Sequence, residues 1–312
     1  MIKASAPGKV ILFGEHAVVF GMPAIAAPLE GLRTTATISP LPEGAHNDIL
    51  IEAPAIGYFQ WLHEAAPNDP LPMIVQEFLT SVGIEKFDPL HLVIKSSIPS
   101  SAGLGSGAAA SAAVIEALVR FFDKPTSASE ISRIIYEAEK IHHGTPSGID
   151  NTVVAHDRVV YFIRDQEPEF LNLHSPLWIV LGDTGERTST STAVSQVRRS
   201  WQEDPDHFED IFQSIGAISR QARIAIIEGD HEILGKLMNK NQSKLEELGV
   251  SSDRLEKLND AARQANAFGA KLSGGGMGGF IIALTDEGNV DAVCHSLSDA
   301  GATATFVSTI ES

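Results

Sequence analysis

Five of the six positions from 274 to 279 are glycine, in the stretch Lys271-Leu272-Ser273-Gly274-Gly275-Gly276-Met277-Gly278-Gly279-Phe280. It reads as strand, turn, strand, yet a hairpin needs only one or two glycines at its tip. Such density suits backbone that another group must approach closely. A second stretch, Ile98-Pro99-Ser100-Ser101-Ala102-Gly103-Leu104-Gly105-Ser106-Gly107-Ala108, follows the apolar run His91-Leu92-Val93-Ile94-Lys95 and opens an Ala-rich segment to Phe122 with strong helix propensity. A glycine loop feeding a helix start offers free amides to an anion, and a polyphosphate suits it. No Lys-Ser or Lys-Thr follows, so it is not a Walker A loop, and the Rossmann spacing is absent. Either stretch alone could be a plain turn or helix entry; two in one chain point to a phosphate site.

The rest of the chain predicts a mixed α/β or α+β architecture. Lys9–Phe13, Ala24–Ala27 and Thr34–Ser39 read as strands, and residues 40–72, rich in Pro, Gly, Asn and Asp, as an irregular excursion. A helix is predicted over Met73–Ser81. Another runs to about Ile141, entered through Thr126-Ser127, with Glu130 placed for a capping box. Arg158–Ile163 reads as a strand, and polar residues 164–176 as a linker. Beyond it come a buried strand at Leu177–Leu181 and helices at about 190–201, 207–228, 231–247 and 252–266. The chain then reads strand, glycine turn, strand (281–284), helix (289–299) and strand (302–308). At 312 residues, two domains are expected, cut at 165/166.

Charge narrows the partners. The chain has 40 acidic against 23 basic residues, a formal −17, with no basic half or tail, so a nucleic-acid or anionic-membrane surface has little support. One cysteine, Cys294, permits no internal disulfide and fits a reducing cytosol. The N-terminus lacks the basic-then-apolar layout of a signal peptide. The mild run 102–119 is too polar and too short to span a bilayer.

Two further segments carry candidate chemistry. In Glu139-Lys140-Ile141-His142-His143-Gly144-Thr145-Pro146-Ser147-Gly148-Ile149-Asp150, one carboxylate ends a helix and the other lies past a Gly/Pro turn. Such a pair can face one cleft, one group holding a metal and the other accepting a proton. Read blandly, Glu139 is a solvated helix charge like Glu137, and Asp150 caps a helix over Asn151–Ala155. The paired histidines lack a third ligand at useful spacing for zinc. In Ala6-Pro7-Gly8-Lys9-Val10-Ile11-Leu12-Phe13-Gly14-Glu15-His16-Ala17-Val18-Val19, a strand and turn carry Lys9, Glu15 and His16. A lysine near a transferring phosphate would neutralise charge and keep a neighbouring aspartate ionised.

Together these segments resemble the GHMP kinase superfamily, whose three motifs occur here in order across nearly the whole chain. Ala6–Val19 and His143–Asp150 are most similar to the branch that phosphorylates mevalonate. A galactokinase would show an Arg-Xaa-Asn stretch before its Gly-Glu-His, and Lys9-Val10-Ile11 runs on without one. The resemblance implies an α+β fold: an N-terminal ribosomal-protein-S5-like domain, a C-terminal ferredoxin-like domain, and an active site between them. It implies ATP- and Mg²⁺-dependent phosphorylation of the C5 hydroxyl of mevalonate. Asp150 is then the base with Lys9 beside it. Glu139 and Ser106 become magnesium ligands. Glu15, His16, Gly144, Ser147 and Thr190 fall in the substrate pocket, with His16 donating to mevalonate.

Pro99, Ser101, Ala102, Gly103, Leu104, Gly105, Ser106 and Gly107 correspond to the phosphate loop, and Gly274 and Gly275 to the third motif. Two departures stand out: Gly107 replaces the family's second loop serine, and Met277 interrupts the third motif's glycines. A kinase on another acceptor (phosphomevalonate, another mevalonate hydroxyl or a sugar) and a nucleotide-binding regulator without turnover are the rival readings. Long helices in the second half favour a homodimer.

Overall fold

The structure, a computed structural model, describes residues 1–42, 48–66, 68–99, 103–143 and 146–311, without the side chains of 141–143. Contacts divide the chain into two units. The first holds Met1–Gly8, Leu32–Ser100 and Gly105–Asp157; the second holds Lys9–Gly31, Ser101–Leu104 and Arg158–Ser312. Strands β1 (Ile2–Phe13) and β2 (Ala24–Pro40) contribute residues to each.

The first unit adds β3 (Ile49–Ala53), β4 (Tyr58–Trp61), α1 (Pro70–Ser81), β5 (Leu90–Ser96), α2 (Ser106–Phe122), α3 (Ala128–His143) and α4 (Ile149–His156). β5 runs antiparallel to β2, from Thr34↔Ser96 to Pro40↔Leu90, and parallel to β3; β4 closes back on β3. Residues 40–72 are therefore not simply irregular. Strands of five and four residues, joined through a short 3₁₀ turn and Gly57 at φ 66°, are too brief for alternation to stand out among polar neighbours.

α1 starts on a proline and buries Ile74, Val75, Phe78 and Leu79. α2 buries Ala108, Ala109, Ala112 and Ala113, small side chains that allow close packing. The Ser127 hydroxyl accepts the Glu130 amide at 3.2 Å, so the expected cap of α3 is present.

In the second unit, β6 (Val160–Phe162) pairs with Ala24–Ala26 of β2, and β7 (Glu169–Phe170) pairs with β6. Then follow β8 (Leu177–Asp183), α5 (Thr190–Glu203), α6 (Pro205–Glu228), α7 (His231–Glu247), α8 (Asp253–Gln264), β9 (Gly269–Ser273), β10 (Phe280–Thr285), α9 (Val290–Asp299) and β11 (Ala304–Ile310). The sheet order β11-β8-β10-β9 is antiparallel throughout and is the ferredoxin-like arrangement of four strands.

Side chains of Ser189, Asp204, Asp230 and Ser252 cap α5 to α8, which explains why those helices begin where they do. All six positions of β10 are buried. The core joins Val180, Leu272 and Ile281 of the sheet to Ile215, Leu245, Leu258 and Leu297 of the helices. α7 meets β9 backbone to backbone: a Cβ on Gly269 would stand 2.0 Å from the Gly235 carbonyl oxygen. Among the described residues, no helix is long and apolar enough to cross a membrane.

Candidate active site

The glycine-rich loop of the second unit is pinned on both sides. The Met277 amide donates to the Val250 carbonyl at 2.7 Å, and the Thr188 hydroxyl donates to the Met277 carbonyl at 2.8 Å. Gly279 donates its amide to Glu186 and accepts from the Thr184 hydroxyl. Glycine is required here: Gly274, Gly276, Gly278 and Gly279 all have positive φ, and a Cβ on Gly276 would fall 2.1 Å from the Val250 oxygen. Met277 itself sits at φ 57°, so the interruption of the glycines is accommodated in the left-handed region.

This loop meets other predicted residues. A Cβ on Gly103 would come 3.9 Å from the Gly274 Cα, and Leu104 accepts the Lys9 amide at 2.9 Å. Gly275 abuts Thr190, where a Cβ would be 3.2 Å from the threonine Cα. Thr190 opens α5 directly after its cap, Ser189. Lys9 is buried within β1.

Glu15 and His16 follow β1 through Gly14 at φ 94°, whose backbone packs against Pro23 and Ala24; a Cβ there would strike the Ala24 Cα at 2.5 Å. The side-chain oxygen of Asn241 accepts the Gly14 amide at 3.4 Å. Glu15 and His16 are 1% and 5% exposed. Oε1 of Glu15 takes an ion pair from the ammonium of Lys271, which also donates to the Leu272 carbonyl at 2.6 Å; both side chains are fully buried. Burial pushes the Glu15 carboxyl up and the Lys271 amine down, and each opposes the shift in the other; Lys9 also favours the Glu15 charge.

His16 corrects the sequence expectation. Its Nε2 lies 3.0 Å from the Gly275 carbonyl oxygen, which can only accept, so Nε2 carries the proton. Burial, reinforced by the nearby Lys271 charge, lowers its pKa to about 4. Nδ1 is then a bare lone pair without a partner among the described residues, able to accept a hydrogen bond and not, as expected, to donate one.

The first unit holds the remaining groups. α2 begins with Ser106, preceded by Gly105 at φ 69° without a side-chain cap, so its first amides keep the anion-binding character expected of a helix start. Gly107 lies in the first turn, and a Cβ there would meet nothing within 4 Å. Pro99 is half-buried, as are Ser106 on α2 and Glu139 on α3. Ser147 accepts the Ile149 amide at 3.4 Å at the entry to α4. Asp150 is not the cap of that helix: Gly148 is the N-cap, at φ 87°, and Asp150 lies in the first turn. The Asn151 side chain donates to Ser132 Oγ at 2.8 Å and fixes α4 on α3. Ser101, Ala102 and Gly144 lie outside the described residues.

Several residues gave no sequence signal. Lys271 reads as an ordinary strand lysine, although its partner lies 256 positions away. Ser273 both accepts the Ile11 amide and donates to the Ile11 carbonyl, each at 3.1 Å. Gln242 accepts the Leu272 amide at 2.9 Å, so polar residues on α7 hold the strand that carries Lys271.

Residues 73–156 match the family described as GHMP kinases N terminal domain, and residues 222–303 that described as GHMP kinases C terminal. A mevalonate kinase from Thermococcus onnurineus is 37% identical, covering 97% of this chain and 94% of that protein. One from Pyrococcus abyssi is 36% identical over 97% and 94%. The crystal structure of L. major mevalonate kinase in complex with R-mevalonate superposes with a TM-score of 0.84 at 30% identity, covering 100% of this chain and 96% of that one. With both halves matched and relatives this similar along nearly their whole length, the chain belongs to the GHMP kinase family.

Proposed function

We propose that the protein is a mevalonate kinase, transferring the γ-phosphoryl group of ATP to the C5 hydroxyl of mevalonate in the supply of isoprenoid precursors. The observation that carries this reading is the 37% identity to a mevalonate kinase over 97% of the chain. Phosphoryl transfer asks the protein for positioning and charge neutralisation. The first amides of α2 are assigned to the phosphates, as are residues Pro99 to Gly107 and Gly274 and Gly275. Asp150 takes the C5 hydroxyl proton as that oxygen attacks the γ-phosphorus and the bond to the ADP oxygen breaks. Lys9 offsets charge at the acceptor, while Glu15, His16, Gly144, Ser147 and Thr190 hold the substrate.

Mg²⁺ bound by Glu139 and Ser106 would supply charge neutralisation on the phosphates. Among the described residues no three His, Cys, Asp or Glu side chains gather as a metal cage. That fits an ion held by one carboxylate, a hydroxyl, waters and phosphate oxygens.

The two family matches fall on either side of the 165/166 boundary, which supports it as the domain limit. Exposed Ile224 and Ile227 on α6 and Ile233 on α7 support assembly as a homodimer. The free thiol of Cys294 supports a cytosolic location.

Purified protein given ATP, Mg²⁺ and single acceptors should release ADP with mevalonate, and mass spectrometry with phosphorus NMR should place the phosphate on C5. Turnover with phosphomevalonate or a sugar instead would overturn the substrate; ADP release with none would favour a binding protein. Asp150→Asn should lower kcat by roughly 10²–10⁴, the range for a positioned base. A folded variant within threefold of wild type would remove that role.

A further inference from the structure

Two successive residues of the second unit each carry a buried acceptor without a partner among the described residues: Oε2 of Glu15 and Nδ1 of His16. Each belongs to a side chain whose other polar atom is taken. Lys271 occupies Oε1 of Glu15, and the Gly275 carbonyl occupies Nε2 of His16. A buried polar atom left unpaired costs free energy, so this pair is built for something that donates. A carboxylate has no proton to give, and two lone pairs would repel it. An alcohol has one donor and can also accept.

Resting on the reading of mevalonate as substrate, the choice among its polar groups narrows. The carboxylate is excluded by sign, and the C5 hydroxyl proton goes to Asp150. The tertiary C3 hydroxyl remains. We infer that Lys271 is a positioning residue which, by holding one oxygen of Glu15, aims the other with His16 Nδ1 at the C3 hydroxyl of the substrate, making that subsite selective for an alcohol.

Lys271 is itself held in place, with its ammonium on the Leu272 carbonyl and its strand tied to Gln242 and, through Ser273, to Ile11. Lys271 has no exposure and touches Glu15 rather than solvent, so its influence on the substrate passes through that carboxylate. Without it, Glu15 is free to turn, and the acceptor geometry is lost while Lys9 and Asp150 keep theirs.

The test compares mevalonate with 5-hydroxy-3-methylpentanoate, which lacks only the C3 hydroxyl, by steady-state kinetics. Wild type should prefer mevalonate by about 10- to 100-fold in kcat/KM, expressed chiefly in KM, as for one hydrogen bond to a charged group. Lys271→Met should raise KM for mevalonate and bring that preference to within about threefold, with kcat changed less than KM. Because the single variant leaves a buried carboxylate alone and can fail to fold, the double variant Lys271→Met with Glu15→Gln removes both charges together. It should show the same lost preference, and a folded single variant should be no worse than the double.

A folded variant of either kind that keeps the wild-type preference overturns the role of Lys271. A wild type indifferent to the C3 hydroxyl overturns the alcohol subsite. If wild type does not phosphorylate mevalonate at all, the substrate reading fails first and this inference with it, a result separate from the other two.

Discussion

Protonating His16 would place a charge near Lys271 in a buried site with little water to relieve it. Burial lowers the imidazole pKa from the ordinary 6.5 to about 4. Between those values the unfolded chain binds a proton that the folded chain refuses, so stability rises with pH across this window. The contribution is full above pH 6.5 and is lost as pH falls towards 4. A shift of that size corresponds to about 3 kcal/mol in total, of which about 2 kcal/mol is gone by pH 5.

His16→Asn isolates this contribution. The residue sits at φ 61° and ψ −49°, a γ-turn conformation whose strain does not depend on pH and so drops out of the comparison, and asparagine does not titrate. Urea unfolding of both proteins at pH 7 and pH 5, without nucleotide, gives the stability gap between them. That gap should narrow by about 2 kcal/mol at pH 5, because only wild type carries the penalty. Carboxylates elsewhere titrate in both proteins and cancel. A gap constant to within about 0.5 kcal/mol, the usual error of additivity, would mean that His16 accepts a proton in the folded state and that Nδ1 is not a lone acceptor.

Two glycines of the glycine-rich segments allow opposite predictions. At Gly107 a side chain would meet nothing within 4 Å, so Gly107→Ser should fold normally and gain a few tenths of a kcal/mol in helix propensity. If Mg²⁺ is bound beside Ser106, the added hydroxyl should lower the Mg²⁺ concentration for half-maximal rate; an unchanged titration would separate this helix start from the metal. At Gly276, with φ 74° and the Val250 oxygen 2.1 Å from a Cβ, Gly276→Ala should cost at least about 2 kcal/mol in urea unfolding. A cost below about 1 kcal/mol would show that the loop yields where its backbone bonds imply it cannot.

What could be read from the sequence was what is written locally. Helices α5 to α8 announce themselves through Ser189, Asp204, Asp230 and Ser252, each an oxygen-bearing residue followed by periodic apolar positions. Both glycine stretches were visible because density itself is a local signal. The hairpin of β3 and β4 was not, since strands this short are fixed by pairing with β5 and not by their own pattern. The bland alternative for Asp150, a helix cap, fails because the N-cap position falls on Gly148 at φ 87°, a difference that nothing local announces. Lys271 escaped for a deeper reason. Its role depends on Glu15, and hydrophobic periodicity carries no information across 256 positions.

The chain's net charge of −17 is the wrong sign for attracting ATP or a carboxylate substrate, which makes the placement of its cations informative. Exposed charges are screened beyond roughly 8–10 Å at physiological salt, so the acidic surface contributes solubility and little to a site. Inside that distance the chain keeps two lysines, Lys9 and Lys271, buried near one carboxylate. A lysine buried against glutamate contributes no net charge to a ligand, whereas a helix start can. The two cations therefore divide the work. On the proposed reading, Lys9 serves the anionic groups of the reaction, while Lys271 spends its charge on Glu15 and leaves behind two acceptors that an alcohol can satisfy and a carboxylate cannot.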